Sequence, residues 1–432
     1  MKRYVLADCN NFFVSCERIF APHLLEKPVV VLSSNDGCVI ARSNEAKALD
    51  IPMGAPFFKF EHFFQQHNVQ VLSSNFALYS DISSRIMYIL HEYATDVEVY
   101  SIDEAFVFFP PQPTEFAQIS EEKNYYELYA QFVRKRIKQK TGIPLSFGIG
   151  PTKTLAKIAN SLAKKDSNLH GVCDLTDHPQ LDAILQTITV GDIWGIGHRY
   201  SAMLEQQGIK NAYQLKNCDD HWIRKKMSIV GLKTVMELRG KVCFSLQDDI
   251  PSPNKSLIVS RSFGKRVTEL SELKEAVATY MSRAAEKLRA QQSVACSITT
   301  FVAFAQHHDH HRIYKSASIE LPLATSYTPD LIAAAHSCLE KLYQKGIGYK
   351  KAGVMLCDFY DADTIQSSTY VPTPALFKQA QVMHTIDTVN HEWGRNMVFL
   401  AAMGTQRAWQ AKTAKKSPAY TTKWSDILTI QI

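Results

Sequence analysis

Two acids stand side by side in an otherwise apolar stretch, Val97-Glu98-Val99-Tyr100-Ser101-Ile102-Asp103-Glu104-Ala105-Phe106-Val107-Phe108-Phe109. β-Branched and aromatic residues dominate both arms, so the segment reads as two strands meeting at an acidic turn. Side chains on an ideal strand alternate between faces, so Asp103 and Glu104 can serve one site only near a bend. A buried, unpaired carboxylate is costly or takes up a proton. A hard divalent cation removes that cost, and Mg²⁺ is the usual one where carboxylates meet phosphates. The plainer reading is a hairpin tip with solvated acids. A third acid, Asp8, ends the short apolar strand Tyr4-Val5-Leu6-Ala7-Asp8. Cys9-Asn10-Asn11-Phe12-Phe13 follows, where Asn10 or Asn11 can cap a helix. A turn entering a helix presents unpaired backbone N–H groups suited to phosphate. Asp8 either joins the other two acids beside those donors or is itself a helix cap.

Further along, Asp192-Ile193-Trp194-Gly195-Ile196-Gly197-His198 precedes Ala202-Met203-Leu204 and Gly208-Ile209. Glycines alternating with apolar residues between two helices let backbone N–H groups approach a DNA phosphate, which binds without reading sequence. Glycine helix caps are the alternative. A looser echo lies at Met227 to Leu232. Arg42 and Lys47 lie five apart across a change from extended chain to short helix, so both can reach one anion. His307-His308-Asp309-His310-His311 could bind a transition metal, but a hairpin loop near phosphate explains it more simply.

The elements that must position these residues are legible in order. Apolar strands are expected at Tyr4–Asp8 and Pro28–Leu32, a helix at about Phe76–Tyr93, then the acidic hairpin. Residues 111 to 124 read as a surface loop, Tyr125–Thr141 as a basic helix and Leu145–Gly150 as a strand. Pro151–Lys165 is amphipathic, with Leu155, Ile158, Ala159 and Leu162 inward and its lysines outward. Residues 245 to 256 carry two prolines and read as a linker. Beyond it, a strand (Leu257–Gly264), a helix (about Ser271–Gln291), two strands (Ala295–Ala305, Ile313–Leu321), a helix (Thr328–Lys345) and a strand (Lys351–Phe359) give a β-α-β-β-α-β, ferredoxin-like module. The last seventy or so residues are weakly periodic with isolated aromatics, a composition that often folds onto a partner.

With 432 residues the chain exceeds one core, and length suggests about three domains. Apolar content of 46% and charged content of 21% fit a soluble globular protein. No apolar run reaches about 18 residues, as a membrane span needs, and the N-terminal apolar run is too short for a signal peptide. Nine scattered cysteines without Cys-x-x-Cys spacing argue for a reducing cytoplasm. The net charge is only +6, but Lys and Arg cluster at 134–140, 153–165, 224–226, 261–266, 345–351 and 412–416, which points to a polyanion partner.

Together these pieces resemble the Y-family translesion DNA polymerases over essentially the whole chain. The specific signs are Ala7-Asp8-Cys9-Asn10-Asn11-Phe12-Phe13, Ser101-Ile102-Asp103-Glu104-Ala105, Gly148-Ile149-Gly150 with its lysine helix, and the Gly195-Ile196-Gly197 hairpin. The resemblance implies an α+β multidomain fold, a right-hand polymerase. Its parts would be a palm (1–166) with fingers inserted at about 20–75, a helical thumb with a helix-hairpin-helix (167–244), the linker, a ferredoxin-like little finger (257–359) and a C-terminal partner-binding region (360–432). It implies that Asp8, Asp103 and Glu104, with Cys9 beside them, hold two Mg²⁺ ions, for which Mn²⁺ can substitute. Asn10, Asn11 and Phe12 would meet the triphosphate. Phe13 would be the steric gate that excludes a ribose 2′-hydroxyl. Asn44-Glu45-Ala46-Lys47 stands where many relatives carry Tyr-x-x-Arg, so Lys47 would serve the phosphate as a point charge rather than a bidentate fork. Lys164 matches the family's other phosphate lysine. DNA contacts would come from Trp194, Gly195, Ile196, Gly197, Arg261 and Lys265.

Implied partners are primer-template DNA, dNTP, a UmuD′-type homodimer and the RecA recombinase. The segment Gln366-Ser367-Ser368-Thr369-Tyr370-Val371 lacks the aliphatic anchor of a clamp-binding peptide, which weakens direct docking to a sliding clamp. The implied role is replication past lesions in the SOS response. A non-catalytic damaged-DNA-binding protein on the same scaffold is the competing reading, and loss of any of the three acids would have favoured it. A nucleotide cyclase is a second, but it has no use for a DNA-phosphate hairpin or a basic module behind a linker.

Overall fold

The structure, a computed structural model, describes residues 3–111, 122–246, 253–305, 312–363 and 373–429. The chain divides into two units: Met1–Ser33, Cys38–Ile250 and Lys415–Ile432 form one, Ser34–Gly37 and Pro251–Ala414 the other.

The first unit is built around β1 (Tyr4–Cys9), which is buried at every position, as a strand covered on both faces must be. Next come α1 (Phe12–Phe20), β2 (Val29–Leu32), β3 (Val39–Arg42), α2 (Asn44–Ala48), α3 (Phe57–Gln66), β4 (Gln70–Ser73) and α4 (Phe76–Tyr93). The acidic hairpin is β5 (Asp96–Val99) and β6 (Glu104–Phe108), followed by α5 (Glu122–Thr141), β7 (Leu145–Gly150), α6 (Lys153–Lys165) and β8 (Val172–Asp174). The main sheet runs β5-β6-β1-β7-β8, and a smaller inserted sheet runs β3-β2-β4. The smaller sheet has its own core of Val30, Leu32, Ile51 and Phe64.

Gly148 explains how α6 lies so close to the sheet. A Cβ there would sit 2.1 Å from the carbonyl oxygen of Ala156 and 2.2 Å from the backbone nitrogen of Asn160. Only glycine allows that approach. The Asn160 amide donates to the Ser146 carbonyl at 2.9 Å and fixes the helix over β7.

Four helices, α7 (Leu181–Thr187), α8 (His198–Gln206), α9 (Ala212–Lys216) and α10 (Asp220–Leu238), share a core that includes Leu185, Leu204, Leu215 and Ile223. The buried Glu237 of α10 accepts from the Thr154 N–H and hydroxyl, 2.9 Å each, and from the N–H groups of Cys243 and Phe244 at 3.0 Å. Those four donors make its burial tolerable and tie this helical region to α6. The echo at Met227–Leu232 proves to be a break inside α10, where Ser228 has φ 66°.

The second unit contains β9 (Leu257–Val267), α11 (Leu270–Ala290), β10 (Ser293–Ala305), β11 (Arg312–Thr325), α12 (Thr328–Leu342), β12 (Tyr349–Asp361) and α13 (Thr373–Glu392). The β-α-β-β-α-β order is as expected, and the sheet runs β11-β10-β12-β9 with every neighbour antiparallel. Leu273, Val277, Met281, Leu331 and Leu339 of α11 and α12 pack on it.

The C-terminal region packs onto its own chain. Arg289 holds Asp387 of α13 through two bonds of 2.6 and 2.8 Å. Trp409 is buried against Phe263 and Tyr280. Its partners lie more than a hundred residues away in sequence, so no local periodicity announces it. The His307–His311 cluster and the Gln366–Val371 segment lie outside the described residues. Among the described residues, no helix is long and apolar enough to cross a membrane.

Candidate active site

Strand register brings the acids together. Asp8 of β1 stands opposite Glu104 of β6 and opposite Ser146 of β7, and residues directly opposite share a face. Asp103 lies in the turn just before β6. The N–H groups of Tyr100 and Ser101 both donate to the Glu104 carbonyl at 3.0 Å, and the Cys9 N–H donates to the Asp103 carbonyl at 2.9 Å. The Ser101 hydroxyl donates to the Asp103 carboxylate at 2.7 Å. The bend that alternation demanded is thus built from backbone bonds and one serine.

Asp8 lines two cavities. One, of about 310 Å³, is lined also by Asp103, Phe13, Arg42, Lys47 and Lys164. The other, of about 340 Å³, is lined by Glu104, Lys157, Lys164 and Trp194 together with Asp8. The acids are ion-paired with α6. Lys164 lies 2.6 Å from Asp8, Lys157 bonds both Glu104 oxygens at 3.0 and 3.1 Å, and Lys153 bonds Glu98 at 2.6 and 2.8 Å. Lys153 and Lys157 are therefore turned onto the acids rather than outward as expected, whereas Lys164 and Lys165 stay exposed. Residues 153, 157 and 164 are spaced by four and seven, which puts them on one face of a helix. That spacing is the signal that could have placed them over the acids.

Among the described residues, no three or more His, Cys, Asp and Glu side chains converge closely enough to hold a metal ion as they stand. The donors suit a hard cation in kind, but Lys157 and Lys164 now supply the positive charge. Metal binding would exchange ammonium groups for the ion. Cys9 would contribute only through its main chain, since its thiol is buried and desolvation pushes its pKa well up.

Burial raises the Asp8 pKa to about 6, opposed by Lys164 and reinforced by Glu104 and Asp103. A carboxyl whose pKa rises on folding contributes stability that is present below its unfolded pKa and lost as pH climbs through about 6. A metal ligand must be deprotonated, so an Mg²⁺ ion bound at Asp8 would compete with that proton. The Tm gain on adding Mg²⁺ should be small at about pH 5 and reach a plateau above about pH 7, each kcal/mol of binding giving about 1–2 °C in a chain of this length. Asp8→Asn should flatten this pH dependence. A gain that is equal at both pH values in the wild type would remove Asp8 from the ligand set.

On the α1 side of the cavity, Asn11 adopts the left-handed conformation (φ 48°) at the start of the helix and makes no side-chain cap. Its amide donates instead to Asn44 at 2.9 Å, and its oxygen accepts from Lys47 at 2.6 Å. The first amides of α1 are thus left without a side-chain cap at the cavity wall. Asn10 also lines the cavity, but its side chain is spent on the Ser146 hydroxyl at 3.0 Å. Burial chiefly lowers the Lys47 pKa, and the Arg42 and Lys164 charges add to this. An anion placed among these cations would relieve that repulsion. The adjacent phenylalanines separate: Phe12 is buried in the core, and Phe13 turns to the cavity. Phe13 stacks on Tyr79, with ring centres 4.4 Å apart and planes within 13°. Sequence reasoning gave Tyr79 no role, because it lies 66 positions from Phe13 with no pattern linking them.

The expected DNA contacts fare unequally. Trp194 is half-buried, donates to the Tyr100 hydroxyl at 3.0 Å and packs on Phe106 and Phe244. Ile196 is buried, so only the Gly195 and Gly197 positions of that hairpin face solvent. Lys157 lies 4.6 Å from the Tyr100 ring centre and 5.5 Å from that of Trp194, within cation–π range. Arg261 and Lys265 of the second unit are exposed, the latter 3.2 Å from Glu272.

Residues 7–161 match the impB/mucB/samB family, residues 254–369 its C-terminal domain, and residues 380–430 a domain of unknown function. The chain is 39% identical to Protein UmuC of Salmonella typhimurium, covering 99% of this chain and 100% of that one. It is 35% identical to Protein MucB of Escherichia coli over 98% of each. DNA polymerase IV of Corynebacterium diphtheriae is 32% identical over 52% of this chain and 47% of its own. A solved Y-family DNA polymerase chimera of Dbh and Dpo4 superposes with a TM-score of 0.63 at 21% identity, covering 83% of this chain and 99% of that one, a likeness of fold.

Proposed function

Because the chain belongs to the impB/mucB/samB family, the UmuC-like branch of the Y-family DNA polymerases, we propose that it performs error-prone translesion synthesis in the SOS response. The enzyme is a DNA-directed DNA polymerase, with primer-template DNA and dNTP as substrates. The reaction is nucleotidyl transfer from dNTP to a primer 3′-hydroxyl. One observation carries the mechanism: Asp8 borders both the cavity of Asp103 and the cavity of Glu104. A carboxylate shared in this way would let Asp8 hold one ion with Asp103 and a second with Glu104.

When bound, two Mg²⁺ ions (or Mn²⁺) would lower the pKa of the 3′-hydroxyl and neutralise the leaving pyrophosphate. The chain's own residues do the rest. The uncapped amides of α1, with Lys47 and Lys164, receive the triphosphate. Ser101 orients the Asp103 carboxylate. Phe13 closes the sugar side of the pocket. The Gly195 and Gly197 backbone, Arg261 and Lys265 are assigned to DNA phosphates. A UmuD′-type homodimer and RecA are the proposed partners, and the setting is the cytoplasm. Sliding-clamp docking through residues 366–371 is the weakest of these assignments, since the peptide lacks its anchor.

The test is primer extension on undamaged and abasic templates, with and without Mg²⁺, the accessory dimer and activated recombinase. Extension that needs Mg²⁺ and passes the abasic site is expected. DNA binding without synthesis under every condition would leave a non-catalytic binding protein.

A further inference from the structure

The C-terminal segment from Lys415 onward has no part in the chemistry above, yet it reaches the residues behind Phe13. It meets the end of β4 at a single bridge: the Ser73 N–H donates to the Lys415 carbonyl, and the Lys415 N–H donates to the Ser73 hydroxyl, both at 3.0 Å. The Asn75 amide, at the entrance to α4, bonds the Ser417 hydroxyl at 2.9 Å and the carbonyls of Ser417 and Pro418 at 3.2 and 3.1 Å. Tyr420 stacks on Phe20 of α1 at 4.6 Å. The segment therefore touches α1, β4 and the start of α4 together.

At its centre is Glu17, one helical turn beyond Phe13 on α1 and only 1% exposed. A carboxyl so placed needs donors. Its Oε1 accepts from the Tyr79 hydroxyl at 2.6 Å and from the Ser417 hydroxyl at 3.0 Å. Tyr79 is the ring on which Phe13 lies flat. A continuous line of contact thus runs Ser417, Glu17, Tyr79, Phe13.

We propose that Ser417 is a positioning residue for sugar selection: through Glu17 and Tyr79 it holds the Phe13 ring where it excludes a ribose 2′-hydroxyl. The proposal rests on the steric-gate reading of Phe13 and extends it to a residue 404 positions away. With the Ser417 hydroxyl gone, Tyr79 becomes the one donor of this pair to Glu17, and Asn75 loses one of its three bonds to the segment. The Tyr79 ring gains freedom, and Phe13 loses a fixed backing. The effect falls on discrimination rather than on the carboxylates.

The test uses the full chain and measures kcat/KM for a dNTP and for the matching rNTP. Variants are Ser417→Ala, Tyr79→Phe, their combination, and Phe13→Ala as control. Ser417→Ala should raise relative rNTP use about three- to tenfold, with dNTP insertion within about twofold of wild type, the size expected from losing one hydrogen bond of about 1 kcal/mol. Tyr79→Phe severs the same line and should act in the same direction. The double variant should exceed neither single variant, since the two act in series. Multiplying effects would overturn the line through Glu17. An unchanged ratio in Ser417→Ala while Phe13→Ala relaxes selection would overturn the proposal and leave the gate standing. Equal losses with dNTP and rNTP would reduce Ser417 to a structural role, which also overturns it. If Phe13→Ala itself leaves the ratio unchanged, the gate reading fails and the proposal falls with it.

Discussion

Asp103→Ala should lower the rate of primer extension by at least about 1000-fold, the loss expected when several kcal/mol of transition-state charge stabilisation disappears. Asp103 suits that role by position. It sits in the turn between β5 and β6, where its backbone carbonyl is fixed by Cys9 and its carboxylate by Ser101. That carboxylate lines the same cavity as Lys47, Lys164 and Phe13. Removing the carboxylate frees only the Ser101 hydroxyl, and residue 103 is half-buried, so the fold should survive. The measurement is single-turnover extension, with DNA affinity and Tm recorded beside it. Retained affinity and Tm with lost chemistry assign the residue to the reaction. Extension within tenfold of wild type would mean that Asp103 holds no essential ion.

The second large effect concerns the sugar. Phe13→Ala should raise rNTP use relative to dNTP by about 100-fold. A 2′-hydroxyl forced against a backed ring meets overpacking and loses its hydrogen bonds, together about 3 kcal/mol. The ring is backed by Tyr79, which lies flat against it, and Phe76 meets it edge-on at 5.8 Å. Phe13 is only half-buried, so truncation should cost less than the roughly 3–5 kcal/mol of a fully buried phenylalanine. The ratio of kcat/KM values reads the effect directly. A ratio within twofold of wild type would place the sugar elsewhere.

Much of the scaffold is legible in the order of residues alone. Leu145–Gly150 and Phe76–Tyr93 are found at the expected bounds, because unbroken apolar runs and a long helical stripe leave few alternatives. The β-α-β-β-α-β module was legible for the same reason. So was the need for a bend at Asp103-Glu104, since the pleat allows adjacent side chains no other way to share a site.

Register and long-range approach decided the rest. Nothing local says that Asp8 faces Glu104, because pairing between β1 and β6 joins residues 96 apart. Helical periodicity marks the apolar stripe of α6 but cannot say that Lys153, Lys157 and Lys164 on another face meet acids. Only the close seating of α6 on Gly148 brings Lys157 and Lys164 to Glu104 and Asp8. The ring of Trp194, part of the expected DNA contact, is held by Tyr100, Phe106 and Phe244, which the chain delivers from two other segments. The C-terminal region is the clearest case. Trp409 and Ser417 carry no periodic signal, because each is held by residues more than a hundred positions away, and only the folded chain brings those partners together.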